Sequence, residues 1–274
     1  MEPPMHISVV RIVICALADI ADLFTKPFAT RWLGHIIQDF QKQLTNMSAA
    51  TVRALAPDMV NDFVRCFRLL GRRIMSAEDT GRLVEHLNLD IGRQCFCSDF
   101  FERRLNGLSY IQGCIRMVEN RASSPNGIQL IPALSTTGSQ ILRTHVLPVA
   151  QYLTAPMLVE WLRTNRVLED LFQERPHLEL MKRSLPVLQF LAKHKALTAA
   201  DLALVWGASV TSHEPTIESV YQTVGVLAAS LEEDLQLVLF GYVRDIETAE
   251  LNKLSLQLIA DLAQLLLQFR DARV

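Results

Sequence analysis

Glycine and proline are scarce in this chain of 274 residues, which contains 11 of each. Both residues interrupt regular structure and mark turns, so their scarcity excludes a loop-rich or collagen-like protein. The alternation of apolar and polar residues that is typical of half-buried strands is also almost absent. The sequence therefore favours an all-helical fold.

A dominant charge of either sign is missing as well. The 27 basic and 29 acidic side chains leave a formal net charge of −2, which gives no overall attraction to nucleic acid or to an anionic membrane. The apolar run at residues 12–18 is far shorter than the ~20 residues that a membrane-spanning helix needs, and no secretory signal is recognisable around it. We therefore expect protein partners, with no nucleic acid and no membrane among them.

The cysteines do not form a disulfide framework. There are five of them, which is an odd number, and a chain with 50% hydrophobic residues can bury a core without covalent cross-links. Reduced thiols are typical of a cytoplasmic protein, with the nucleus as the alternative compartment. The five are Cys15, Cys66, Cys95, Cys97 and Cys114.

Apolar residues spaced three and four apart predict amphipathic helices along most of the chain. The final segment is the clearest case, because Leu251, Leu254 and Leu258 fall on one helical face. The whole pattern predicts helices near residues 7–23, 28–45, 57–72, 78–89, 98–119, 139–151, 155–172, 177–194, 199–209, 216–229, 231–245 and 248–271.

Polar residues add start and stop signals to this pattern. Three serine or threonine residues that open an apolar-periodic stretch are followed by an acidic residue three positions later, which is the spacing of a capping box at a helix start. Between residues 120 and 138, by contrast, serine, proline, asparagine and glycine cluster, and we predict a mobile surface loop there. The three capping pairs are Ser76 with Asp79, Thr198 with Asp201, and Ser230 with Glu233.

About a dozen helices with short connectors are expected to pack as antiparallel pairs, which favours a stacked solenoid. A faint internal repeat supports this choice, because Leu153-Thr154-Ala155 returns 44 residues later as Leu197-Thr198-Ala199. That offset lies within the roughly 40–47 residues of armadillo and HEAT units. The predicted fold class is all-α, an armadillo/HEAT-like α-solenoid that forms a single domain over residues 1–274.

Residues suited to chemistry are sparse. Cys95-x-Cys97 offers two thiolates to a zinc ion, but no second ligand pair accompanies them, and His86 lies outside the spacing of a zinc hairpin. The chain has no His-Glu-x-x-His arrangement, phosphate loop, nucleophile elbow or dinucleotide fingerprint. We therefore predict no catalytic, cofactor-binding or metal-binding residues. The alternative is a cysteine hydrolase with an unorthodox site, in which Cys95 or Cys97 is the nucleophile.

One group of charged residues is organised. Arg65, Arg68, Arg72 and Arg73 follow helical spacing, which predicts a basic stripe along the helix at residues 57–72. Such a stripe can bind an acidic partner. The alternative is an ordinary solvated helix face, which is common where no aromatic residues are interleaved with the basic ones.

The second half of the chain contains an ordered set of short motifs. They are Leu153-Thr154-Ala155-Pro156-Met157-Leu158-Val159-Glu160-Trp161-Leu162, Leu188-Gln189-Phe190-Leu191, Lys195-Ala196-Leu197-Thr198-Ala199-Ala200-Asp201-Leu202 and Val205-Trp206-Gly207-Ala208. Their order and spacing resemble the long non-catalytic region of fat-facets-type ubiquitin-specific proteases, and the resemblance is best over residues 150–240. In that family the region is an armadillo-like helical array beside the protease domain, so the resemblance implies the same fold here.

The resemblance also implies a function in ubiquitin removal, which that family performs with a catalytic cysteine. This chain has neither the Asn-x-Cys-Tyr type cysteine box nor the Gly-His-Tyr type histidine box of the protease domain. We therefore expect a non-catalytic scaffold that binds ubiquitinated clients or ubiquitin-pathway factors and positions them. An unrelated HEAT/armadillo-type adaptor is the alternative function.

Overall fold

The computed structural model describes residues 5–123, 152–210, 213–248 and 251–271, and every regular element within these ranges is a helix. The all-α prediction is therefore confirmed. Internal contacts divide the chain into two compact units, residues 1–155 and 156–274. The expectation of one continuous domain over residues 1–274 stays a prediction.

The described part of the first unit contains six α-helices and a short 3-10 turn at Ala21–Leu23. Three of the helices are capped at their N-termini by side chains: His6 Nδ1 accepts from the amide of Ser8, Ser48 Oγ from that of Thr51 and Ser76 Oγ from that of Asp79. The six helices are α1 (Ile7–Asp19), α2 (Lys26–Thr45), α3 (Ala49–Ala54), α4 (Pro57–Ile74), α5 (Ala77–Phe96) and α6 (Phe101–Ser123).

Helix α4 is the centre of the first unit, because it packs against α1, α2 and α5. Its core side carries Phe63, Phe67 and Leu70, none of which has any exposed surface. Burial of each such side chain stabilises the fold by about 1.5–3 kcal/mol. Because this side of α4 packs in the core, the polar and charged residues of the helix lie on its flanks.

Helices α5 and α6 approach each other closely at a pair of glycines. A Cβ atom on Gly107 would lie 2.6 Å from the carbonyl oxygen of Gly92 and closer still to the amide nitrogen of Phe96. Both obstacles are backbone atoms, which cannot rotate away as a side chain can. Position 107 therefore requires glycine at this helix spacing.

The second unit contains eight α-helices and a π-helical turn at Asp170–Glu174 in its described part. Helix α12 is central, since it contacts α9, α10, α11 and α14. The eight helices are α7 (Ala155–Thr164), α8 (Val167–Glu169), α9 (Leu178–Lys182), α10 (Leu185–Lys193), α11 (Ala199–Val210), α12 (Glu214–Ala228), α13 (Glu233–Arg244) and α14 (Lys253–Asp271).

Two predicted helices are each divided in the structure. The helix predicted over residues 155–172 breaks at Arg166, which adopts a left-handed backbone conformation with φ 51°. A left-handed residue ends a helix because it turns the chain out of the repeating hydrogen-bond pattern. The helix predicted over residues 177–194 divides into α9 and α10, and Pro186 lies in the first turn of the second. Proline is tolerated there because first-turn amides have no partner within the helix.

Two of the three predicted capping boxes are confirmed, at Ser76 and at Thr198, whose Oγ1 accepts from the amide of Asp201 at 3.3 Å. The box predicted at Ser230 is wrong. Helix α13 begins only at Glu233, and Glu232 occupies its N-cap position. The amide of Ser230 instead donates to the carbonyl oxygen of Leu227 at 2.8 Å, so this serine belongs to the turn that closes α12.

Other boundaries also differ from the prediction. Helix α3 has no predicted counterpart, and α5 continues to Phe96 where residue 89 was expected to end it. Residues 120–123 of the predicted loop form the end of α6. The rest of that loop, residues 124–138, lies outside the described residues, as does the helix predicted over residues 139–151.

Candidate protein-interaction site

The predicted arginine stripe of α4 is divided between two surfaces. On one flank, Arg65 reaches Asp19 on α1, with 3.5 Å between its Nη1 and the Asp19 Oδ1. Arg73 forms an ion pair with Asp22 in the 3-10 turn after α1. These two arginines therefore contribute to the contact between α4 and the α1 region.

Arg11 adds a third ionic contact between the same elements. Its Nη2 lies 2.9 Å from Asp58 Oδ2 and 2.6 Å from Asp62 Oδ2, both on α4. All of these pairs are partly exposed, and such pairs contribute little to stability, typically about 0–1 kcal/mol each. These ion pairs orient α4 relative to the α1 region, because carboxylates of the neighbouring element hold each guanidinium group.

On the opposite flank of α4, Arg68 and Arg72 line a cleft with a volume of about 410 Å³. Side chains of α4, α5 and α6 form its walls, and Tyr152 also lines it. We call it the α4–α6 cleft. Three of its four buried lining residues are apolar, and four of its five exposed ones are polar or charged. The buried ones include Val60, Val84 and Cys114, and the exposed ones include Asn61, Arg72, Ser109 and Arg116.

The α4–α6 cleft carries more positive than negative charge. Arg68, Arg72 and Arg116 line it together with one acidic residue, Glu85. Within the part of the chain that the structure describes, none of the three arginines forms a hydrogen bond or an ion pair. Burial and the neighbouring charge of Arg72 lower the pKa of Arg68, while Glu85 opposes that shift. The cleft therefore presents guanidinium groups with unused hydrogen-bond donors.

Glu85 holds the backbone at Tyr152 and Leu153 beside the cleft. Its Oε2 accepts hydrogen bonds from the amide of Tyr152, at 3.2 Å, and from the amide of Leu153. The Tyr152 ring occupies the space beside Gly81 where a side chain would otherwise lie. Tyr152 is thus held as one wall of the cleft.

The structure places both cysteines of the Cys95-x-Cys97 motif at the end of α5. Cys95 is buried in the last turn of α5, and burial raises the pKa of its thiol to about 11, which disfavours the thiolate. Cys97 is the C-cap residue of the same helix. Among the residues that the structure describes, no three histidine, cysteine or acidic side chains cluster as metal ligands would.

The helical spacing of α4 predicts two lining residues of the cleft, Arg68 and Arg72, and gives no signal for Arg116, Glu85 and Tyr152. These three come from other elements, so no spacing within the α4 sequence could point to them.

No helix in the described ranges has the length and apolar character needed to span a membrane.

Comparison with known proteins agrees with the resemblance noted in the sequence. The model of a family described as the UBP24/USP9X/USP9Y ARM repeat matches residues 82–265, which includes the expected range of 150–240 and begins earlier than it. This match supports the predicted armadillo-like solenoid. It also covers α5 and α6 of the cleft and begins after α4.

Individual relatives are distant. The mouse protein named ubiquitin carboxyl-terminal hydrolase 9Y is 22% identical over 196 residues, which are 70% of this chain and 7% of that protein. The Drosophila melanogaster protein named probable ubiquitin carboxyl-terminal hydrolase FAF is 25% identical over 174 residues, 62% of this chain and 6% of the relative. Mouse ubiquitin carboxyl-terminal hydrolase 9X is 30% identical over 79 residues, 28% of this chain and 3% of that protein. The chain therefore spans only a small part of the length of each relative.

Proposed function

The chain belongs to the UBP24/USP9X/USP9Y ARM-repeat family, and on that premise we propose that it is a non-catalytic helical scaffold that binds proteins during ubiquitin removal. Its partners are ubiquitinated clients or factors of the ubiquitin pathway, and its compartment is the cytoplasm, with the nucleus as the alternative. Family membership argues against the alternative of an unrelated adaptor.

The α4–α6 cleft is the observation that carries this proposal. Arrays of helical repeats present broad surfaces built from the sides of successive helices, and they use these surfaces to hold other proteins. A concave, apolar site with a few charged groups at its mouth is the usual form of a binding site. The chain therefore acts by holding partners in position, and the bond-breaking chemistry belongs to a protease domain.

Quantitative affinity capture tests the proposal. The chain is expressed with a tag in cells, and the captured proteins are measured by mass spectrometry against a tag-only control. We expect enrichment of deubiquitinases, ubiquitin ligases or ubiquitinated proteins, the last recognised by the remnant that ubiquitin leaves on lysine after digestion. A captured set without any of these would contradict a function in ubiquitin removal.

A second measurement separates a scaffold from an enzyme. The purified chain is incubated with a ubiquitin-based probe that forms a covalent bond with active-site cysteines. We expect no labelled product, while a known deubiquitinase in a parallel reaction is labelled. Labelling of this chain alone, lost on the substitution Cys97→Ser, would support the cysteine hydrolase and refute the scaffold.

A further inference from the structure

We propose that the α4–α6 cleft binds an extended acidic segment of a partner protein, with a large apolar side chain of the segment in the cleft and its carboxylates on the arginines. This inference rests on the proposed function and names the chemistry of the partner. The occupant is thus a peptide that combines acidic and apolar residues.

The shape of the cleft accounts for the apolar part of the ligand. A volume of about 410 Å³ lies within the roughly 300–1,000 Å³ of ordinary ligand pockets. Val60, Val84 and Cys114 line the cleft and are buried, so this part of its wall is apolar and excludes water. A leucine or aromatic side chain that enters the cleft removes its own apolar surface from water, and that transfer is favourable.

The charge of the cleft accounts for the acidic part. Arg68 is half-buried and Arg72 lies four residues further along the same face of α4, so their like charges repel. Arg116 adds a third guanidinium from α6. No carboxylate among the described residues forms a hydrogen bond or an ion pair with any of the three, and the single carboxylate of the cleft, Glu85, acts on Arg68 only through its charge. Arginine binds carboxylates through two parallel hydrogen bonds, and such charge-assisted bonds are about twice as strong as neutral ones.

The spacing of the arginines favours an extended ligand. Residues four apart on a helix are separated by about 6 Å along its axis, and alternate residues of an extended peptide are separated by about 6.6 Å. Two acidic residues at alternate positions can therefore face Arg68 and Arg72 together. Because part of its wall is apolar, the cleft suits a side chain of a peptide better than the phosphates of a nucleic acid.

Fluorescence polarisation with the full chain tests the inference. The probe is a short labelled peptide in which two glutamates and a phenylalanine occupy three successive alternate positions, so that all three side chains lie on one face of the extended chain. Two comparison peptides replace either the glutamates with lysines or the phenylalanine with serine. We expect the first peptide to bind at least roughly tenfold more tightly than either comparison peptide and to lose affinity as salt rises.

Substitutions in the protein locate the binding. Arg72→Glu and Arg116→Glu reverse exposed charges at the cleft, and each is expected to weaken binding of the acidic peptide by roughly tenfold or more. Gly113→Leu adds a side chain to the cleft wall at a position where a Cβ has no neighbouring atom within 4 Å, and we expect it to weaken binding as well because the side chain occupies part of the site. The matched control is Lys26→Glu, the same charge reversal at an exposed site outside the cleft, which should bind as the unmodified protein does.

Circular dichroism and the melting temperature of each variant establish that it is folded. Equal binding of the lysine peptide, or unchanged binding by all three cleft variants, would overturn the inference. So would binding of anionic vesicles or single-stranded RNA that the cleft variants abolish while the acidic peptide fails to bind. If the peptide binds as expected and captured proteins lack any link to ubiquitin, the cleft inference stands and the proposed function falls. If the captured proteins are linked to ubiquitin and the acidic peptide does not bind, the proposed function stands and only the cleft inference falls.

Discussion

Arg163 on α7 and Asp201 on α11 form a two-pronged ion pair, in which Arg163 Nη2 lies 2.6 Å from Asp201 Oδ2 and Nη1 donates to Oδ1. The amide and hydroxyl of Thr198 both donate to the same carboxylate, each at 2.7 Å. Burial opposes ionisation of this carboxyl, but the hydrogen bonds from Arg163 and Thr198 hold the pKa of Asp201 below its ordinary value of 3.8. One carboxylate thus caps α11 and ties it to α7.

We expect Asp201→Asn to lower the free energy of unfolding by about 2–3 kcal/mol at pH 7, because it leaves Arg163 without its partner charge and weakens the cap. Since the folded-state pKa of Asp201 is lowered, its stabilisation is present above the unfolded pKa and is lost as the pH falls through the folded pKa. The difference between the two proteins in urea unfolding should therefore shrink below pH 3.8.

The matched control is Asp245→Asn, which removes the carboxylate of the exposed Arg244–Asp245 pair in the same unit. Its urea midpoint should change little, because water screens an exposed pair. A loss of stability by Asp201→Asn that stays constant from pH 7 to pH 3 would show that the ionised form of Asp201 is not what stabilises the fold.

The close contact of α5 and α6 predicts that Gly107→Ala destabilises the first unit by about 1–3 kcal/mol, since the added methyl meets the backbone of Phe96 and Gly92. Gly113→Ala on the same helix is the control, because nothing lies within 4 Å of its Cβ. That change should stabilise the helix by roughly 0.5–1 kcal/mol. Thermal melts of the two variants should move in opposite directions, and equal shifts would contradict the described helix spacing.

The thiols should differ sharply in reactivity. Burial raises the pKa of Cys114 to about 12, and burial together with a hydrogen bond to Cys15, with 3.6 Å between the sulfur atoms, raises that of Cys66 to about 12. We expect a disulfide reagent at pH 8 to modify the half-buried Cys15 and Cys97 first, because the thiolate is the reacting form.

Mass spectrometry of the digested protein locates the modified thiols, and a parallel reaction in denaturant should modify all five cysteines at similar rates. Modification of Cys114 as early as Cys97 in the folded protein would contradict the burial of Cys114.

Trp206 lies between two tyrosine rings, with 5.4 Å to the centroid of Tyr221 and 5.7 Å to that of Tyr242. Stacked aromatic pairs contribute about 0.5–1.5 kcal/mol each beyond their burial. We expect Trp206→Ala to lower the free energy of unfolding by about 2–3 kcal/mol. Trp32→Ala is the control, because that ring is 55% exposed, and its urea midpoint should shift by less than half as much. Equal shifts would mean that the stack contributes nothing of its own.

The sequence predicts the helices of this protein well because each amphipathic helix repeats its apolar spacing over several turns. It predicts the cap at Thr198 for the same local reason, since donor and acceptor are three residues apart. It does not predict the break at Arg166, because a left-handed arginine has no compositional signal of the kind that glycine gives. The break is visible only once the chain is folded.

The candidate site is even less predictable from the sequence than the helix break is. Helical spacing places Arg65, Arg68, Arg72 and Arg73 on one stripe, but it cannot divide them. The division depends on acidic residues of the α1 region, which lie more than forty residues away in sequence. The contribution of Arg116 to the cleft likewise depends on the packing of α6, which the α4 pattern does not contain.

The divided stripe means that substitutions on the two flanks of one helix have different consequences. A charge reversal at Arg65 or Arg73 places a carboxylate against Asp19 or Asp22, so it acts on the contact between α4 and the α1 region. Arg68 and Arg72 form no ion pair with the residues that the structure describes. A charge reversal at either of them changes the electrostatic potential of the cleft and leaves that contact between helices intact.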